Sequence, residues 1–237
     1  MNFLFVIFIC AYLDSIPITE AFAAANKGGG KKKNKKSANA SSTNRGFGAP
    51  PPTLAETLAT FRTRLPENAS EQPCPCATSS GATYKDCCQP LHLGQQTCLK
   101  PLDVLKSRYS AFCYRDIGYI IATTHPKCRD YQEDRIAWAK DLNKNGMFDS
   151  FDFIGLEVLK DEDGDNNDHE AYIEFQVRMK GREGNLEQRS VASIAGEETL
   201  VTERSQFLRD PETGIWTYSG GDVRSGVEGL EDVTLNT

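Results

Sequence analysis

The sequence predicts an α+β fold, with helices packed on a curved antiparallel sheet that closes toward a cone and a small zinc knuckle in front. Three observations lead there. Apolar residues recur at helical spacing between Pro101 and Asn143. After Asn145-Gly146 the period changes to that of strands. Four cysteines, Cys74, Cys76, Cys87 and Cys88, crowd into one short stretch. Helices followed by a run of strands make an α+β layer domain, in which the helices cover one face of the sheet.

The chain has 237 residues, 39% of them apolar and 25% charged, which suits one globular domain with extensions. Its net charge of −6 hides an asymmetry. Residues 1–55 hold seven of the 27 Lys/Arg and two of the 33 Asp/Glu, so the remainder is strongly acidic. An acidic folded part is a poor footprint for nucleic-acid backbones, and no nucleic-acid partner is expected.

Residues 3–13 form an apolar run too short to span a bilayer. Ala21, Ala23, Ala24 and Ala25 then offer an Ala-x-Ala cleavage site. This predicts a signal peptide over residues 1–23 and no stable membrane span once it is removed. Residues 24–52 read as a transit tract. No acidic residue occurs from Ala21 to Ala55, and Lys27, Lys31, Lys32, Lys33, Lys35 and Lys36 precede Ser37, Ser41 and Ser42. A basic, Ser-rich, acid-free tract is the composition of an organelle transit peptide. The two together resemble the bipartite leader of algae with secondary plastids, whose cleavage point Ala21-Phe22 fits. That resemblance implies a plastid location; secretion is the alternative.

Residues 53–72 read as a linker with a short helix, because Leu54, Leu58, Phe61 and Leu65 share one face. The knuckle follows over residues 73–98. Pro75 restricts the backbone between Cys74 and Cys76, and Ser80-Gly81 supplies a turn that returns the second pair. Four thiolates suit a tetrahedral zinc ion; a disulfide knot is the alternative in an oxidising compartment. Pro75, Ser80, Gly81, Tyr84, Lys85 and both cysteine pairs resemble the SEC-C knuckle, a zinc-binding motif. The resemblance implies Cys74, Cys76, Cys87 and Cys88 as ligands. The loop between the pairs, residues 77–86, is longer than the family's. His92 and Cys98 are substitutes if Cys87 or Cys88 faces away.

Pro101 suits the first turn of a helix, which Val104, Leu105, Tyr109, Phe112 and Cys113 continue. Asp116 caps a second helix reaching about Thr123, and His125-Pro126 ends it. A third helix is predicted over residues 129–143, through Ile136, Trp138 and Leu142. Strands are predicted over 151–159, 170–179, 199–209 and 214–219. The acidic run 161–168 reads as a hairpin tip and 181–198 as a polar loop. Residues 99–220 thus read as the folded domain and 221–237 as a disordered tail.

Five separated stretches resemble the YchJ family: Leu105-Lys106-Ser107-Arg108-Tyr109, Thr124-His125-Pro126, Gly155-Leu156-Glu157, Glu203-Arg204-Ser205 and Trp216-Thr217-Tyr218. That family joins a SEC-C knuckle to a domain of the nuclear-transport-factor-2-like fold. The resemblance implies an architecture and a metal but no reaction.

His125 is the sharpest catalytic candidate. A histidine in the cone could serve as a general base beside Glu157, Glu174 or Asp116; alternatively it caps the second helix. Arg108 and Arg204 sit among apolar residues and call for carboxylate partners, with Glu157 and Glu203 the candidates. The run from Asp141 to Asp152 fits a calcium-loop pattern, but Asp152 stands where a longer Glu is usual and no second helix follows. Three readings remain: a binding or adaptor protein that docks another protein through its zinc knuckle, an isomerase or lyase with a small ligand in the cone, or, if the leader is only a signal peptide, a secreted disulfide-stapled protein.

Overall fold

The computed structural model describes residues 50–77, 81–144, 147–163, 169–182 and 198–226. The signal peptide and nearly all of the transit tract lie outside them, as do residues 164–168 of the expected hairpin tip 161–168, residues 183–197 of the expected polar loop and the chain beyond 226. From Thr53 onward the described residues form one compact unit.

Six helices precede four strands among the described residues. Helix α1 spans Leu54–Ala59 and stops short of the expected Leu65. It starts with a capping box, in which Thr53 Oγ1 accepts from Glu56 N and Glu56 Oε2 accepts from Thr53 N. Helix α2 is the single turn Gln89–His92. Helix α3, Pro101–Tyr114, begins at its proline and ends at Arg115 in the left-handed conformation, φ 59°. Asp116 caps α4, Ile117–Ala122, by accepting from Tyr119 N at 3.0 Å.

The third predicted helix starts later than the expected residue 129. Helix α5 is Arg135–Lys144. Asp134 sets its start, since its Oδ1 accepts from Ile136 N and Ala137 N at 3.0 and 2.9 Å. Upstream, Cys128 N and Tyr131 N close turns onto His125 O and Cys128 O instead. A further turn, α6, Met147–Ser150, comes before the first strand.

The sheet is β1 Phe151–Asp163, β2 Glu170–Gly181, β3 Glu198–Arg209 and β4 Trp216–Gly226. Its order is β1-β2-β3-β4, each pair antiparallel. The edge strand β1 is bulged between Phe153 and Gly155 and again between Val158 and Lys160. Strand β4 runs past the expected end at 219, through residues read as tail. A side chain at Gly221 would press on the buried Glu203 carboxyl, so a glycine that looks like a strand breaker makes room for that group.

Alternation sorts the two faces. Ala171, Ile173, Phe175, Val177 and Met179 of β2 are buried, as are Val201, Glu203, Ser205 and Phe207 of β3. Val104, Leu105, Arg108 and Phe112 of α3 are buried with them. The space between helices and sheet is therefore packed with side chains, and it holds two charges. Arg108 Nη1 donates to Ile120 O, Thr123 Oγ1 and Thr124 Oγ1 at 3.0, 2.9 and 3.1 Å. Its guanidinium lies 4.6 Å from the centre of the Tyr218 ring. Glu203 Oε1 accepts from Ser205 Oγ at 2.6 Å and from Tyr218 Oη at 3.3 Å. Arg204, by contrast, faces outward. It pairs with Glu162 at 3.2 Å and stacks 4.0 Å over Tyr172, which corrects its expected apolar surroundings.

Burial raises the Glu203 carboxyl to about 7, against the opposing hydrogen bonds from Ser205 and Tyr218. A carboxyl raised on folding binds its proton more tightly in the native state. Its contribution to stability is full below the unfolded value of 4.5 and is lost as pH rises through about 7. Glu203→Gln is expected to flatten that decline. The variant should exceed the parent chain above pH 7 by up to about 3 kcal/mol, read by denaturant unfolding at acid and alkaline pH.

Candidate metal centre

The cysteine quartet is built by a small loop closed on itself. Cys74 N donates to Ala82 O at 2.9 Å, and Pro73 bridges Thr83. Gly81 takes φ 67°, the left-handed region that a side chain disfavours. Pro75–Ala77 is one 3₁₀ turn, and Cys87 and Cys88 immediately precede α2.

All four sulfurs lie within 4.8 Å of one another. Cys76 Sγ is 3.5 Å from Cys74 Sγ and 3.4 Å from both Cys87 Sγ and Cys88 Sγ; the adjacent pair is 3.8 Å apart. A disulfide would need about 2.05 Å. The edge of a tetrahedron of thiolates around zinc is about 3.8 Å, given bonds of about 2.3 Å. The four cysteines are free thiols at a spacing that suits one metal ion. The longer loop does not turn either member of the second pair away.

Four thiols this close titrate together. Hydrogen bonds from Cys76 and Cys88 pull Cys74 far below the usual thiol range. The shared contact with Cys74 pushes Cys76 and Cys88 up. The first proton leaves readily and later ones resist, which is the charge repulsion a divalent cation relieves.

Helix α3 supports the quartet from beneath. Ser110 Oγ donates to Cys88 Sγ at 3.3 Å and lies 3.6 Å from Cys74 Sγ. Ser110 is completely buried and was not among the residues the sequence singled out. Its one signal is a serine set in the apolar run Tyr109 to Phe112. The two substitute ligands are engaged elsewhere. His92 Nε2 donates to Ser107 O at 2.9 Å, so its Nδ1 accepts from Tyr84 Oη, also at 2.9 Å. Cys98 Sγ lies 3.4 Å from Tyr119 Oη.

The other candidates separate. Three of the calcium-loop residues, one each on α5, α6 and β1, face arginines, while Asn145 and Gly146 lie outside the described residues. Asn143 Oδ1 accepts from Arg115 at 3.0 Å, Asp149 Oδ2 pairs with Arg115 at 3.2 Å, and Asp152 takes Arg182. His125 is not in the cone. Its backbone N donates to Tyr218 O at 2.7 Å beside β4, and its Nδ1 accepts from Lys127 N at 3.0 Å. Burial and the nearby Lys127 charge lower its pKa. Glu157 and Glu174 project from the outer face of the sheet, paired with Gln176 and Arg204 of that face. Asp116 caps α4. The pairings expected for His125 are therefore not made.

A cysteine quartet seated on the first long helix of an α+β domain defines the class: a nuclear-transport-factor-2-like body with a candidate metal site in front. Comparison with known proteins agrees. The family model described as YchJ, middle NTF2-like domain matches residues 100–221. A UPF0225 protein of Yersinia pseudotuberculosis is 34% identical over 148 residues, covering 62% of this chain and 81% of its own. One from Serratia proteamaculans is 32% identical over 151 residues, with the same coverage. A solved structure described as a SEC-C motif containing protein from Psychrobacter arcticus is 25% identical, with a TM-score of 0.42 over 64% of this chain and 82% of its own. The chain belongs to the YchJ (UPF0225) family.

These relatives correct the location read from residues 1–52. They are proteins of Yersinia and Serratia, bacteria that have no plastids, and this conflicts with delivery to a secondary plastid. Among the described residues no helix is long and apolar enough to cross a membrane.

Ser110→Ala should remove the hydrogen bond to Cys88 without opening the core. Metal affinity is expected to fall by about tenfold, the usual worth of an outer partner to a ligand, measured by chelator competition, with the unfolding midpoint of the metal-free chain nearly unchanged.

Proposed function

We propose that Cys74, Cys76, Cys87 and Cys88 hold one zinc ion and that the chain is a binding protein, which presents this knuckle to another protein. The observation that carries the reading is the tetrahedral spacing of four free thiols. Zinc would supply a rigid, redox-inert cross-link between the two cysteine pairs. Leu93 and Leu99 support a docking role. They are 60% and 63% exposed, close together on the segment that leaves the knuckle. The rival reading, an isomerase or lyase with its ligand in the cone, has less support among the described residues. Ile173, Phe175, Val177, Phe207 and Tyr218 fill the inner face of the sheet, and His125 opens elsewhere.

Metal analysis of the full chain should find one zinc per chain, falling to near zero in Cys76→Ser, whose sulfur is central to the quartet. Full zinc in that variant would overturn the site. A partner that copurifies in fixed ratio should be lost from a Leu93→Glu, Leu99→Glu double variant that keeps its zinc. Its retention there would overturn the docking role.

A further inference from the structure

A cleft of about 650 Å³ opens at one end of the sheet, within the size range that takes small ligands. Its floor is the face turned away from the helices. Glu170, Gln206 and Leu208 line it and alternate with the buried Ala171 and Phe207. Glu170 and Leu208 are register partners, so they share a face. The register shift at Gln206 adds Ser219 of β4 to that floor. The walls come from His125 and Lys127 after α4, from His169 ahead of β2, and from Arg209 and Asp210 at the β3–β4 turn.

The formal charges of the lining balance, with Lys127 and Arg209 against Glu170 and Asp210. What decides the chemistry is which of these are already used. Glu170 Oε1 accepts from Tyr172 Oη at 2.6 Å and from Gln206 Nε2. Asp210 Oδ1 accepts from Glu212 N and Thr213 N at 2.9 and 2.8 Å. Arg209 Nε donates to Gly214 O at 3.3 Å. On the other side, no ion pair among the described residues engages His125, Lys127 or His169. Because His125 Nδ1 accepts a backbone N–H, the neutral ring carries its own N–H on Nε2. Each acid accepts from neighbours through one of its two oxygens, while the side chains of His125, Lys127 and His169 keep their donors.

We propose that this cleft binds a small anion, a phosphate- or carboxylate-bearing molecule, through Lys127, His125 and His169. The anion would take the donors that the protein leaves unmatched, and a partly enclosed site strengthens such charge-assisted bonds. The site is independent of the knuckle and of the filled space between helices and sheet.

The chain has three histidines, and this makes the test direct. Two line the cleft, while His92 is buried beneath the knuckle and serves as an internal reference. Imidazole carbon resonances of the zinc-loaded full chain are followed at fixed pH and ionic strength during titration with inorganic phosphate and, separately, malonate. His125 and His169 should shift together and saturate, with His92 unmoved. Tighter binding of phosphate would assign a phosphoryl group, and tighter binding of malonate a carboxylate. Lys127→Glu should weaken binding by about tenfold or more, while Lys140→Glu, an equal change of charge on exposed α5, should not. Shifts that fail to saturate, shifts at all three histidines, or equal weakening by the two variants would each overturn the proposal.

Discussion

Four consecutive residues of α3, Ser107 to Ser110, join the parts of this protein. The helix must bury a guanidinium on one side and support a set of thiols on the other. Arg108 is held by the C-terminal end of α4 and by the ring of Tyr218 on β4. Ser107 O receives His92, and Ser107 Oγ receives Tyr119 Oη at 2.8 Å. Ser110 reaches the cysteines. Stripping one partner from a buried charge costs about 3–5 kcal/mol, comparable with the whole stability of a small domain. The sequence at these positions therefore has little freedom, and α4, β4 and the knuckle are all placed by one helix.

Knuckle and body are thus not independent modules joined by a tether. Tyr84 stacks edge-on to Tyr114 at 4.7 Å, and His92 lies 4.4 Å from Tyr119. The sulfur cluster is continuous with the main core, where Cys74, Cys76 and Cys88 are buried alongside Tyr109 and Phe112. A cross-link among the cysteines acts directly on the helix that carries Arg108.

Much of this was legible because single residues dictate local geometry. Pro101 and Asp116 start their helices where proline and aspartate at a helix start should. The alternation from Ala171 to Met179 shows as a half-buried strand. The spacing of the cysteines was legible because thiols cluster for few reasons. Most of what failed depended on partners distant in sequence; the start of α5 is a local exception. Asp134, not the apolar pattern, decides where α5 begins. The Gly220-Gly221 pair resembles a chain end until Glu203 is seen pressed against it. Arg204 and Glu203 are neighbours of the same charge-rich run, yet strand pleating sends one outward and the other into the core. His125 could not be placed from helix spacing, because its position follows from the pairing of Thr124 with Tyr218 across β4.

The two bulges of β1 bear on the solution behaviour of the chain. Among the described residues this strand pairs with β2 on one side only, so its other side offers backbone donors and acceptors to an extended segment. Ile154 and Leu159, the residues skipped in the register, are 39% and 46% exposed, and would make a regular edge adhesive. Each bulge breaks the ladder and bends the strand. An incoming strand that matched the stretch between the bulges would lose register at both ends. With Glu157, Lys160, Asp161 and Glu162 along the same edge, β1 is a poor template for fibrous growth, and its irregularity works as protection against self-association.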